Sequence, residues 1–337
     1  MRLSDIIGQN HIKEHFRSAV INNTVNHAYI INGEKSSGKA SLAKAFAMAI
    51  MCEAGGSEAC MQCESCRKII NNCNPDFINL VKDPTKKTGI IGIDEIRHQI
   101  ISSMYERPYN GDRKVYIIDD ADLMNIPAQN AILKTLEEPP EYAVILLITR
   151  NISKLLPTII SRCIVLNMRP TEDKVIKQYL RERTRLLDTD IDVITALSSG
   201  NVGKAKLFSE DSDFNEFVKN IVGVLKDIPR TDLRGLLDAL SVLEDIKAKK
   251  KYTVEDIFEL LVLWYRDVLL YKATGDFDDL IFKNETTDIA LQASYFSYEA
   301  IDYVIKEIGK AKVKLNSNVS FENVMELLLI CIQEKSK

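Results

Sequence analysis

The chain has 337 residues, with 44 basic against 48 acidic side chains for a net charge of −4, 46% apolar residues and 27% charged ones. This balance excludes a wholly disordered chain, a collagen-like chain and a strongly basic nucleic-acid binder, and at about 150 residues per domain the length suggests two domains. No apolar run approaches the ~20 residues of a membrane span. The strongest, from Ala143 to Ile148, has six residues, and the N-terminal segment carries Asp5, Lys13 and Glu14 in place of a secretory core. A cytoplasmic protein without a membrane partner is expected.

In chain order, the first half alternates short apolar runs with helical stretches. Segments 28–32 (AYIIN), 77–81 (FINLV), 115–119 (VYIID), 144–149 (VILLIT) and 163–167 (CIVLN) are apolar on both faces, as strands of a covered parallel sheet are. Between them, 41–51 sets Leu42, Phe46 and Ile50 on one helical face, a helix is expected from Asp94, and 127–138 reads as a helix opened by Pro127 and stopped by Pro139–Pro140. After 169–172 (RPTE) the strand pattern ends. Helices are expected over 171–182 and 190–197, then a polar stretch over 209–213. Apolar stripes follow, built from Phe214, Phe217, Ile221 and Leu225 and then from Leu233, Leu236, Leu240 and Leu243. Helices over 254–270 (with the only Trp, Trp264), 300–308 and 321–332 complete the chain. The pattern predicts an α/β domain over 1–168, a small helical piece over 169–208 and a helical bundle over 209–337.

The first strand runs into 33–39 (GEKSSGK) and then a helix. That is the context of a P-loop, in which backbone N–H groups and a helix N-terminus face an anion and Lys39 reaches phosphates between the turns made by Gly33 and Gly38. The pattern breaks at its last position. Ala40 stands where a Ser or Thr hydroxyl would hold Mg²⁺, and Ser41 follows one place late, rotated by about 100° on a helix. The third strand ends in Asp119 and Asp120, as a Walker B strand does, with Asp119 at the metal position and Asp120 where a water-activating acid would stand. Asp is one methylene shorter than Glu there. ATP and Mg²⁺ are accordingly doubtful cofactors of this chain, and the sequence leaves open whether nucleotide binds without turnover.

Five of the seven cysteines lie between Cys52 and Cys73. In a reducing compartment such a cluster points to metal rather than to disulfides. Cys52, Cys60, Cys63 and Cys66 give C-x₇-C-x₂-C-x₂-C, a spacing that can converge on one tetrahedral Zn²⁺ in a closed structural site; it differs from the ferredoxin patterns of iron–sulfur clusters. The last three ligands are expected in a loop inserted after the P-loop helix, a module over about 52–73. Cys73 reads as a surplus loop thiol, and Cys163 and Cys331 as packed apolar residues.

The segments IIGQ (6–9), HAY (27–29), the P-loop, DDAD (119–122), NAILKTLEEPP (130–140) and SRC (161–163) occur in that order. Together they resemble the AAA+ clamp-loader subunits of bacterial DNA polymerase III, densely over 1–170 and by helix pattern beyond. The resemblance implies a AAA+ domain carrying a zinc module, a helical lid and a helical collar that joins subunits into a ring. It implies a replication protein at the nucleoid-associated replisome, partnered by gamma/tau and delta subunits and acting on the sliding clamp and primed DNA. Of the two kinds of subunit at issue, the motor (gamma/tau) and the non-motor stator (delta-prime), Ala40, Asp120 and Gly203 at the sensor-2 arginine position point to the delta-prime kind. Lys39 and Asp119 keep a working ATPase as the alternative. Thr149 matches sensor 1. Arg162, which alone would read as a surface ion-pair residue, resembles an arginine finger acting in the nucleotide site of a neighbouring subunit. Lys82, Lys86 and Lys87 fall where the family faces primer–template, and a solvated basic loop is the equal alternative.

Overall fold

A computed structural model describes residues 1–80, 89–317 and 319–336. Val81, the expected end of the second strand, and the basic-loop residues Lys82, Lys86 and Lys87 lie outside the described residues. The chain divides into two compact units, Met1–Val175 with Asn201–Gly203, and Ile176–Gly200 with Lys204–Lys337.

The first unit runs α1 (Asn10–Ile21), β1 (Ala28–Asn32), α2 (Lys39–Ile50), α3 (Glu64–Ile70), β2 (Phe77–Asn79), α4 (Ile93–Ile96), a π turn (Arg97–Ile101), α5 (Ser102–Met104), β3 (Lys114–Ile118), α6 (Ile126–Glu137), β4 (Ala143–Thr149), α7 (Pro157–Ile160) and β5 (Ile164–Asn167). The strands form one parallel sheet in the order β2-β3-β4-β1-β5. All seven residues of β4 are buried, which explains their unbroken apolar character: a strand covered on both faces leaves no position for a polar side chain.

Alternation along the strands separates two cores. Tyr29 and Ile31, Val115 and Ile117, Val144, Leu146 and Ile148 point to one face, where α1 and α2 contribute Phe16 and Phe46. Ile30, Tyr116, Ile118, Ile145 and Leu147 point to the other, against Ile96, Ile100, Ile132 and Ile159. Phe16 and Phe46 stack with ring centroids 3.7 Å apart, and Tyr29 meets Phe46 edge-on at 5.3 Å. This aromatic group fixes α2 against the sheet, and α2 bears a candidate site at each end. The register brings the other site elements to one edge: Asn32 of β1 lies opposite Thr149 of β4 and Asn167 of β5, and Ile118, the last residue of β3, lies opposite Leu147.

The second unit is all helical among its described residues. It comprises α8 (Asp173–Arg183) from Ile176 onward, α9 (Asp188–Ser198), α10 (Val202–Ser209) from Lys204 onward, α11 (Phe214–Asp227), α12 (Leu233–Ala248), α13 (Val254–Thr274), α14 (Thr286–Tyr295), α15 (Tyr298–Asn316) and α16 (Phe321–Lys335). Its centre is α13, opened by a reciprocal Thr253–Asp256 cap and stopped at Gly275, whose φ of 70° suits glycine. Trp264 is buried; its indole N–H donates to Gln292 Oε1 at 2.9 Å, and Gln292 Nε2 donates to the Leu225 carbonyl at 2.7 Å. A buried polar pair satisfied at both ends costs little and fixes the packing of α11, α13 and α14.

Candidate functional site

The phosphate loop joins β1 to α2. Gly33 leaves the sheet donating its N–H to Thr149 O at 3.2 Å. Gly38 caps α2 at φ 91°, a left-handed conformation open to glycine, and no side chain caps the helix there. The first amides of α2 therefore face the loop, as an anion site requires. Lys39, only 8% exposed, turns its ammonium inward. It donates to Gly33 O at 2.8 Å and to Glu34 O. Burial lowers its pKa, and the charge of Asp119 acts the other way. Ala40, Ser41, Asp119, Asp120 and Arg150 line the same cleft of about 410 Å³.

Two further contacts close on the loop. Asn201 Nδ2 donates to Lys35 O at 2.8 Å. Gly203 lies so close that a Cβ built on it would stand 1.8 Å from Ser36 O, which has no room to yield without moving the loop. A larger residue at position 203 is incompatible with the loop as it stands.

The acids at the tip of β3 are engaged by residues beside Thr149. Asp120, at φ 50°, accepts from Arg150 Nε at 3.1 Å and Nη2 at 2.8 Å. Thr149 is fully buried; its hydroxyl donates to Asp122 Oδ1 at 3.1 Å and accepts from the Asn151 N–H at 3.1 Å. Asp122 also accepts from the Arg150 N–H at 3.1 Å, and Asp119 accepts from the backbone N–H of Asp120 at 2.8 Å. The sequence reading singled out Asp119, Asp120 and Thr149 but missed Arg150, which pairs with the acid at the water-activating position. Its place directly after Thr149, beside the Asp119–Asp122 turn, was the available signal. At this cleft position 40 has no hydroxyl, Asp120 is paired with the Arg150 guanidinium, and Lys39 donates to carbonyls of its own loop.

At the other end of α2 the four cysteines converge, with the Sγ atoms of Cys52, Cys60, Cys63 and Cys66 all within 4.8 Å of one another. Tetrahedral thiolates around a metal at ~2.3 Å would stand about 3.8 Å apart, so the set closes on one ion with small adjustments. Backbone amides point at the sulfurs. Cys60 N donates to Cys52 Sγ at 3.3 Å, Gln62 N and Cys63 N to Cys60 Sγ at 3.4 and 3.2 Å, and Cys66 N to Cys63 Sγ at 3.4 Å. Such donors favour the thiolate, and the Gln62 and Cys63 amides bring the Cys60 thiol down to about 6. Burial pushes Cys52 and Cys66 upward. Met61, at φ 68°, makes the sharp turn that lets Cys60 and Cys63 face each other. The expectation of three loop ligands needs correction at one: Cys63 caps α3 and Cys66 lies within it, because GluSerCysArgLysIleIle forms a short helix whose buried face carries Cys66 and Ile69. Cys73 is exposed and outside the group. The module is tied down by Glu58, which accepts from Ser4 Oγ at 2.7 Å and from Arg17 Nε at 3.0 Å.

Arg162 lies between α7 and β5. Its Nη1 donates to Thr158 O at 2.9 Å and to Ser161 Oγ at 3.3 Å, and its Nη2 pairs with Glu137 Oε1, at the end of α6, at 2.9 Å. The Arg162 side chain is 35% exposed and that of Glu137 is 49% exposed.

The sheet order, the glycine-rich loop entering α2 from the central strand and the acids at the tip of β3 define a P-loop α/β module of the AAA+ type. A sequence model of the family described as "DNA polymerase III, delta subunit" matches residues 8–172. DNA polymerase III subunit delta' of Bacillus subtilis is 30% identical over 317 residues, covering 92% of each chain. Subunit tau of the same organism is 29% identical over 348 residues, covering 95% of this chain but only 60% of tau. A gamma subunit-related protein of Thermotoga maritima aligns over 97% of this chain and 99% of its own, at 20% identity and a TM-score of 0.40. The chain belongs to the family of DNA polymerase III clamp-loader subunits.

Proposed function

We propose that this chain is a non-motor subunit of the delta-prime kind. In this reading it takes its place in a clamp loader with gamma/tau and delta subunits, and the assembly places the sliding clamp on primed DNA with ATP bound by the motor subunits. The observation that carries the reading is the state of its own nucleotide loop. Ala40 offers no Mg²⁺ ligand, Arg150 holds Asp120, and Gly203 sits against Ser36 where a sensor-2 arginine would need space. By contrast, Arg162 is present and partly exposed, its guanidinium held by Thr158 O and Glu137. It would stabilise charge on the phosphoryl group in a neighbouring subunit's site, a contribution of about 10³–10⁵ in rate where a finger acts in trans. The Cys52, Cys60, Cys63 and Cys66 group would hold a structural Zn²⁺. Among the described residues no helix is long and apolar enough to cross a membrane.

The test is reconstitution with motor and delta subunits. Arg162→Ala is expected to leave assembly intact and to lower DNA- and clamp-stimulated hydrolysis by about 10³-fold or more; unchanged hydrolysis would refute the role. The alternative, a gamma/tau-type ATPase, draws on the match to tau over 95% of the chain and on Lys39 and Asp119. It requires the isolated chain to hydrolyse ATP in a manner abolished by Lys39→Ala.

A further inference from the structure

Glu137 is the residue whose placement calls for an explanation beyond folding. It ends α6, just before the Pro139–Pro140 stop, and reaches Arg162 at 2.9 Å. Half-exposed ion pairs of this kind contribute little to stability. The geometry around the guanidinium is more specific than a surface pair needs. Thr158 O and Ser161 Oγ hold Nη1 from the α7 turn, and Glu137 holds Nη2 from a different helix. Among the described residues Nε–H takes no acceptor. With Nη2 engaged by Glu137 and Nη1 by the α7 turn, Nε–H is the donor left to meet an oxygen of an incoming anion.

We infer that Glu137 is a positioning residue for Arg162: it fixes the guanidinium plane so that the Nε edge faces outward toward the neighbouring subunit's nucleotide. The inference rests on the trans-acting reading of Arg162. Its physical content is preorganisation. A free arginine side chain must surrender several rotatable bonds to reach one pose, and a carboxylate that holds the pose beforehand removes that cost from the reactive step. Glu137 touches neither nucleotide nor reacting atoms, so it acts only through Arg162.

The experiment measures ATP hydrolysis by the reconstituted complex carrying Glu137→Ala, Glu137→Gln, Arg162→Ala or both alanines, after assembly is checked for each. Glu137→Ala is expected to lower kcat about 5–20-fold with KM for ATP nearly unchanged, since small misplacements of a reacting group cost up to about 10²-fold. Glu137→Gln keeps an acceptor but loses the charge, so it should fall between, about 2–4-fold below the wild-type complex; it also serves as the test if the alanine variant assembles poorly. In the Arg162→Ala background, Glu137→Ala should have no further effect, because the two residues act as one unit. The inference is overturned if either single variant at 137 matches the wild-type rate or exceeds it, or if Glu137→Ala costs the same factor with and without Arg162. If Arg162→Ala itself has no effect, the trans-acting reading fails and the inference falls with it, an outcome distinct from the others.

Discussion

Helix α2 carries a different kind of site at each end, and the two ends contrast sharply. At its C-terminal end four sulfurs stand within 4.8 Å, backbone amides point at three of them, and Met61 makes the turn the geometry needs. At its N-terminal end the phosphate loop keeps its glycines and its lysine but lacks the hydroxyl at position 40, and its acids and lysine are satisfied internally. The shape of a loop is set by glycines and backbone hydrogen bonds, whereas its chemistry depends on a few side chains. A loop can therefore retain the first without the second. A metal knuckle cannot, because its ligands are also what folds it.

The largest effect should come from the part of α2 that serves both ends. Phe46, stacked on Phe16 and edge-on to Tyr29, is fully buried. Phe46→Ala is expected to cost about 3–5 kcal/mol, read by chemical denaturation of the first unit, and to loosen both ends together. Retention of the wild-type midpoint would show that the aromatic group does not anchor the helix.

The next effect is confined to the C-terminal end. Cys63→Ser or Cys66→Ser should abolish binding of one zinc per chain and make the segment from Cys52 to Cys66 protease-sensitive, while the strands keep their protection in hydrogen exchange. Full zinc content in both variants would mean that the four thiols are not one donor set.

A smaller effect is expected at the N-terminal end. Gly203→Ala places a methyl 1.8 Å from Ser36 O and should cost about 1–3 kcal/mol, with altered hydrogen exchange in 33–39. A neutral result would show that the loop gives way readily, and that the close approach of Gly203 does not shape it.

Much of this was legible in the residues. All five strands announced themselves because a sheet covered on both faces leaves uninterrupted apolar runs, and their ends shifted by only a residue or two, as at Lys114 and Ala143. The long helices of the second unit were equally plain from their stripes. What escaped were short or weakly striped elements: α3, read as loop although Cys63 caps it, and two helices without a capping side chain. In α1, Gln9 caps without a side-chain bond and Lys13 occupies a buried position; α14 begins after Glu285 with no capping side chain and buries Gln292. Within the site, glycines and cysteines could be read from their spacing alone. The position of Arg150 directly after Thr149 was a signal, but its pairing with Asp120 thirty positions away was not legible, nor was that of Glu137 with Arg162 across twenty-five, since folding brings these partners together.

The most direct measurement is ATP turnover by the isolated, metal-replete chain, with Lys39→Ala alongside. The account predicts that both proteins hydrolyse ATP only at background. Brisk turnover that disappears in the Lys39→Ala protein would contradict it, because a loop without a Mg²⁺ hydroxyl and with its acid held by Arg150 would then be running the chemistry assigned here to its neighbour.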